Sequence, residues 1–123
     1  MLKNEIDEIK QYLSNLIKKE KDYFDEGIKR FFDKYKIDYT LIYFPFYKEN
    51  FYLILKFKNY GIYFNDIEEY FGICKIYNNE CQKYADIDDN LSTTIKKLIE
   101  FYRNNRLDIL FQKNIESTHS ISP

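Results

Sequence analysis

From Leu2 to Tyr35 the apolar side chains return every three or four residues: Ile6, Ile9, Leu13, Leu16 and Ile17, then Phe24, Ile28, Phe31, Phe32 and Tyr35. That spacing puts them on one face of a helix. It predicts one long N-terminal helix, or two that separate near Glu20 to Asp22. The opposite face is charged, and Asp25 with Lys29 and Glu26 with Arg30 are spaced to pair across one turn. The stripe is broad and becomes aromatic toward its C-terminal end, which fits a helix laid over a sheet better than a coiled-coil seam.

After Asp38 the period changes to two. Tyr39 to Tyr47 is dense in β-branched and aromatic residues, with Pro45 marking an edge or a bend because it cannot donate to a ladder. Lys48-Glu49-Asn50 reads as a turn. Phe51, Leu53, Leu55 and Phe57 then alternate with Tyr52, Ile54, Lys56 and Lys58, which predicts one buried and one partly wet face. A turn at Asn59-Tyr60-Gly61 leads to a short strand at Ile62 to Phe64. A strand from Tyr70 to Tyr77 reaches a hairpin turn at Asn78-Asn79-Glu80 and returns from Cys81 to Ala85. Leu91, Ile95, Leu98, Ile99 and Tyr102 restore helical spacing, and Leu107, Leu110 and Phe111 either extend that helix or form a last strand. The fold class is α+β: a long N-terminal helix or two, an antiparallel meander of four to five strands, and a C-terminal amphipathic helix packed on the sheet.

At 123 residues the chain is one domain, expected over residues 1–115, with a polar, flexible tail at 116–123. Thirteen Tyr and eleven Phe supply ample core material. No apolar run is long enough to span a membrane, and Lys3, Glu5, Asp7 and Glu8 stand where a signal peptide would be apolar. The expected location is therefore cytoplasmic. Cys74 and Cys81 are read as reduced thiols, with Cys74 across the hairpin from Tyr84 and Cys81 across from Tyr77, out of register with each other.

The net charge of -1 conceals a segregation, because residues 61 to 89 hold seven acidic side chains against two lysines while both flanks are slightly basic. A negative field there repels nucleic acid and attracts a cationic partner. Part of it is the stretch Tyr84 to Leu91, YADIDDNL. Asp86, Asp88 and Asn90 fit the first three ligand positions of a calcium loop, but Leu91 stands where that loop needs Gly and Lys97 where it needs Glu. The plainer reading is a helix start capped by Asp88 or Asp89, with surplus acids left for a partner. No metal or cofactor is expected.

Enzymatic readings fare poorly. The one histidine, His119, lies in the polar tail, Cys74 sits in an apolar strand, and neither a dinucleotide nor a Walker glycine motif occurs. Glu8-Ile9-Lys10 has a nuclease-like spacing that a helix would turn to different faces, and Asp66, Glu68 and Glu69 read as a solvated corner. The strand face with Tyr52, Lys56 and Lys58 is the best place for single-stranded nucleic acid, on aromatic stacking and phosphate contacts.

The run from Gly61 to Tyr102, GIYFNDIEEYFGICKIYNNECQKYADIDDNLSTTIKKLIEFY, combines an aromatic strand, an acidic turn, an F-x-I-x-K-x-Y strand, a hairpin, D-x-D-D-x-L and an amphipathic helix. It resembles small immunity proteins of bacterial toxin systems, including those of contact-dependent growth inhibition. The resemblance covers about a third of the chain. It implies a non-enzymatic protein that binds and neutralises the C-terminal domain of a cognate toxin, expected to be a basic nuclease, by electrostatically complementary occlusion. The side chains expected at that interface are Asp66, Glu68, Glu69, Glu80, Asp86, Asp88 and Asp89, with Tyr63, Tyr70, Tyr77 and Tyr84 as aromatic anchors. The alternative is a small single-stranded nucleic-acid-binding or adaptor protein.

Overall fold

The computed structural model describes residues 3–87 and 90–111, with side chains from Asp7 onward. The N-terminal stripe forms two helices, α1 (Lys3–Glu20) and α2 (Glu26–Tyr35), joined by a 3-10 turn at Lys21–Tyr23. Asp25 is the reason α2 begins where it does, since its carboxylate accepts the Ile28 N–H at 2.8 Å. Its other oxygen lies 3.9 Å from Lys96 rather than pairing with Lys29 as the spacing implied.

Five strands follow: β1 (Lys36–Phe44), β2 (Glu49–Phe57), β3 (Tyr60–Asn65), β4 (Tyr70–Tyr77) and β5 (Glu80–Ile87). The first turn comes earlier than the sequence implied, at residues 45–48, and Glu49 and Asn50 already belong to β2. The β4–β5 turn needs only two residues, Asn78 and Asn79, both with positive φ, the backbone that matches the twist of a tight hairpin. Helix α3 (Leu91–Arg103) comes next; after a turn at Asn104–Asn105 the chain is helical again over residues 107–111. Those last residues therefore neither continue α3 nor add a strand. The tail at 116–123 lies outside the described residues. Among the described residues no helix is long and apolar enough to cross a membrane.

The sheet is an antiparallel meander that closes into a barrel, a closure the strand pattern did not disclose. With an odd number of alternating strands the closing pair must be parallel, and β1 meets β5 only at Tyr43 and Glu80. Closure divides the apolar residues between two cores. Phe44, Phe51, Leu53, Tyr63, Cys74 and Tyr84 fill the inside of the barrel. The outer faces of β2 to β5 lie beneath the three helices, where Tyr52, Ile54, Leu55 and Phe64 meet Leu13, Ile17, Phe32 and Ile95.

This arrangement corrects the reading of β2. Phe51 through Leu55 are buried on both faces, because one side fills the barrel and the other lies under the helices. A bulge between Leu53 and Leu55 also reverses the phase, moving Leu55 to the helix side. Tyr52 and Lys56 consequently do not share a face, and Tyr52 is only 4% exposed. Lys58, in the next turn, lies over the rings of Phe57 and Tyr102. The basic and aromatic surface considered for single-stranded nucleic acid is not assembled.

A second bulge, in β5, shifts the cysteine register. Ile76 opposes Cys81, while Cys74 opposes Tyr84. Both thiols thus point into the barrel, where they are free and buried, and the Cys81 Sγ donates to the Lys83 carbonyl at 3.3 Å. Burial first, and then the neighbouring Cys81 thiol, push the Cys74 thiol well above its ordinary value, so the pair has the character of core packing.

Gly72 is where the interior is tightest. A Cβ added there would lie 2.3 Å from the ring and hydroxyl of Tyr63. Gly72→Ala is therefore expected to displace that ring and lower stability by about 1–3 kcal/mol in chemical denaturation. An unchanged midpoint would mean that the ring does not cross the glycine.

Candidate docking site at the acidic end of the barrel

The β1–β2 turn, the β3–β4 turn and the C-terminal end of β5 gather at one end of the barrel. Gly72 explains the chemistry found there. Tyr63 on β3 and Asp86 on β5 both pair with Gly72 on the intervening strand. Because Gly72 has no side chain, the Tyr63 ring lies across it and delivers its hydroxyl to Asp86 Oδ1 at 2.5 Å. Tyr47, from the β1–β2 turn, donates to Asp86 Oδ2 at 3.2 Å and shares a 3.3 Å hydrogen bond with the hydroxyl of Tyr70.

The network continues into the acidic turn through Asn65. Its carboxamide Nδ2 donates to the Tyr70 hydroxyl at 3.3 Å. Its Oδ1 accepts the N–H groups of Ile67 and Glu68 at 2.9 and 3.0 Å, an Asx turn that fixes the loop from below. Asn65 itself is 1% exposed. The loop closes with Glu69 in the left-handed region, φ 58°, and its N–H bonded to the Asn65 carbonyl at 2.8 Å. Above this frame Asp66, Ile67, Glu68 and Glu69 are all exposed, Ile67 by 60%. Glu69 accepts a hydrogen bond from Tyr12 on α1 at 3.0 Å, which fastens the loop to the helix layer.

The expected interface residues separate into groups. Asp66, Glu68 and Glu69 come together on the loop. Asp86 is half-buried and faces the tyrosines, with Tyr70, also half-buried, among them. Tyr63 and Tyr84 sit inside the barrel, 0% and 7% exposed, so neither is placed to anchor a partner. Tyr77 and Glu80 flank the β4–β5 turn, where Glu80 pairs with Tyr43 of β1; both are exposed but lie away from the acidic loop. Asp88 and Asp89 lie outside the described residues. The cap of α3 is Asn90, whose side chain accepts the Thr93 N–H at 2.7 Å, rather than either of those aspartates. Asn65, Tyr47 and Ile67 were missed from the sequence. The readable signal was Asn-Asp-Ile-Glu at the end of a strand, where an Asn side chain commonly organises the turn.

The site contains few reactive groups. Among the described residues no set of three or more His, Cys, Asp or Glu converges closely enough to hold a metal ion. The phenols of Tyr47, Tyr63 and Tyr70 are all pushed up from their ordinary value of 10, first by burial; the nearby Asp86 charge raises each further. Tyr12 is also raised, chiefly by its bond to Glu69. These groups are built to stay neutral and donate hydrogen bonds.

Neutral buried phenols make the fold sensitive to alkali. A group whose folded pKa is raised contributes stability that is complete below the unfolded value, near 10, and is lost as pH climbs toward the folded value. Tyr63 alone steepens that loss by about 1.4 kcal/mol per pH unit, while Tyr47 and Tyr70, partly open to solvent, add less. Tyr63→Phe is expected to flatten the alkaline limb in urea melts between about pH 9 and 12. At neutral pH it should cost about 1–3 kcal/mol, because Asp86 loses its shortest partner.

No protein-family model matches the chain, and no curated protein and no solved structure matches it either.

Proposed function

We propose that this chain is a non-enzymatic binding protein that captures and neutralises a basic toxin domain, a nuclease of the kind countered by bacterial immunity proteins, through the β3–β4 loop. The observation that carries the reading is the construction of that loop. Three carboxylates and one isoleucine are presented in succession on a backbone held by a buried asparagine. A loop already fixed in place loses little conformational freedom on binding, so more of its contact energy is retained.

The charge and shape of the loop fit a cationic, phosphate-binding cleft. Asp66 and Glu68 would occupy positions that a substrate's phosphates take, while Ile67 supplies an apolar anchor at the centre. The excess of acids over residues 61 to 89 speeds encounter with such a partner through long-range attraction. Asp86 supports the loop from within the barrel. The docking footprint is accordingly smaller than the full set of acids in the sequence.

Immunity proteins are encoded beside their toxins, which identifies the partner to test. Calorimetric titration with the C-terminal toxin domain encoded immediately upstream is expected to give one-to-one binding of nanomolar or tighter affinity that weakens with salt. Asp66→Asn, Glu68→Gln and Ile67→Ser together should raise Kd by about a hundredfold or more while leaving the unfolding free energy within about 1 kcal/mol of the parent. Absence of binding by the native protein would refute the reading. Unchanged affinity in the triple variant would move the interface away from this loop.

A further inference from the structure

Strand β1 leaves its ladder with β2 at one place. Lys36 opposes Leu55 and Thr40 opposes Leu53, so Ile37, Asp38 and Tyr39 together face Ile54 alone. A bulge of this size bends the chain away from its neighbour and turns side chains to new faces. Ile37 accordingly packs with the barrel interior and Tyr39, two positions on, with the helix-side core, although a regular strand would put both on one side. Beside the bulge lies a cavity of about 320 Å3, bounded by α1, α2 and β1. Ile17, Phe32 and Ile54 give it a buried apolar floor, while Ser14, Lys21 and Lys36 line it from the exposed side.

The polar groups around this floor are donors. Ser14 Oγ donates to the Tyr39 hydroxyl at 3.3 Å, which leaves the phenol proton for a further acceptor. The Tyr39 ring is steadied edge-on against Tyr52, with centroids 6.5 Å apart. Lys21 holds its ammonium 5.3 Å from the centre of the Phe32 ring, at the cavity wall, and pairs with no carboxylate among the described residues. Lys36 meets Asp33 at 3.7 Å, but both side chains are about half exposed, so water weakens the pair. Asp38, the one acid on the cavity, is exposed. We infer that this cavity binds a compact organic anion, an apolar body carrying one dianionic head such as a phosphate monoester. The body would lie on Ile17, Phe32 and Ile54, and the head would meet Lys21, Lys36 and the Tyr39 hydroxyl. Two ammonium groups from separate elements suit a dianion better than a carboxylate, and lysine serves phosphate as a point charge that needs no fixed fork geometry. The volume falls at the small end of ligand pockets, with a few polar groups over an apolar floor as such pockets have. The site stands apart from the docking reading, because Lys36 begins β1 at the end of the barrel opposite the β1–β2 turn and the acidic loop.

The test uses the full chain with its isoleucine methyl groups isotopically labelled, titrated in turn with phenyl phosphate, benzoate, benzyl alcohol and inorganic phosphate. Saturable shifts centred on Ile17 and Ile54 are expected with phenyl phosphate, and a response about tenfold weaker or less with each of the others. Lys21→Gln with Lys36→Gln should weaken phenyl phosphate by about tenfold or more, and Tyr39→Phe by about three- to tenfold. Both lysines are exposed, so the charge-keeping pair Lys21→Arg and Lys36→Arg is expected to fold as the parent does and to bind within about threefold of it. Shifts that never saturate, that spread evenly over the other isoleucines, or that survive unchanged in the glutamine pair would overturn the site. Inorganic phosphate binding as tightly as phenyl phosphate would overturn the apolar floor as part of it, benzyl alcohol doing so would overturn the assignment to an anion, and benzoate doing so would overturn the dianionic head.

Discussion

The reach of Tyr63 across Gly72 to Asp86 is the contact on which the acidic end of the barrel depends. Three neighbouring strands contribute one residue each at the same level, and the middle one has no side chain. A single Cβ would close that passage. With it open, one phenol both fills the interior and supplies a hydrogen bond to a half-buried carboxylate, which would be costly to hold without donors. Tyr47 and Tyr70 complete the cluster, and Asn65 carries its order outward to the loop.

Closure with only five strands accounts for much of the composition. So narrow a barrel is filled by a few large side chains, and Phe44, Phe51, Tyr63 and Tyr84 stack edge-on or offset within it. Small residues stand between them: Gly61, Gly72 and Cys74 leave room for Leu53, Ile76 and the Tyr63 ring. The helices then bury the outer faces of β2 to β5 and reach β1 at Tyr39, which packs against the helix-side core and accepts a hydrogen bond from Ser14 of α1 at 3.3 Å, while farther along β1 Leu41 and Tyr43 are each 37% exposed. A chain of this length thereby builds two cores from one sheet, which is why a fifth of its residues are aromatic.

The same economy shapes the surface. The acidic loop is short, yet it is held at three points: by Asn65 from the barrel, by the left-handed Glu69 within the turn, and by Tyr12 from α1. Rigid placement matters for charged groups in particular. Like charges side by side repel, and only a scaffold that fixes their spacing can offer them together to a complementary surface. The phenols behind the loop stay neutral through the physiological range, so the negative charge presented to solvent belongs to the carboxylates.

Local physics made the elements legible. Helical spacing of Ile9, Leu13 and Ile17 and of Ile95 and Leu98, the apolar strand-type run from Tyr70 to Tyr77, and the Asn78-Asn79 turn each determined their structure, because such signals act between residues a few positions apart. The α+β class and the antiparallel order followed from them. What the chain could not disclose was decided between distant residues. Barrel closure placed Tyr52 under helices, Tyr63 and Tyr84 indoors and Asp86 among phenols, although in sequence each resembles a surface residue. The bulges in β2 and β5 reversed faces that strict alternation had assigned. Whether an acid meets solvent or a tyrosine depends on which strand lies beside it, and that neighbour is chosen only when the whole sheet closes.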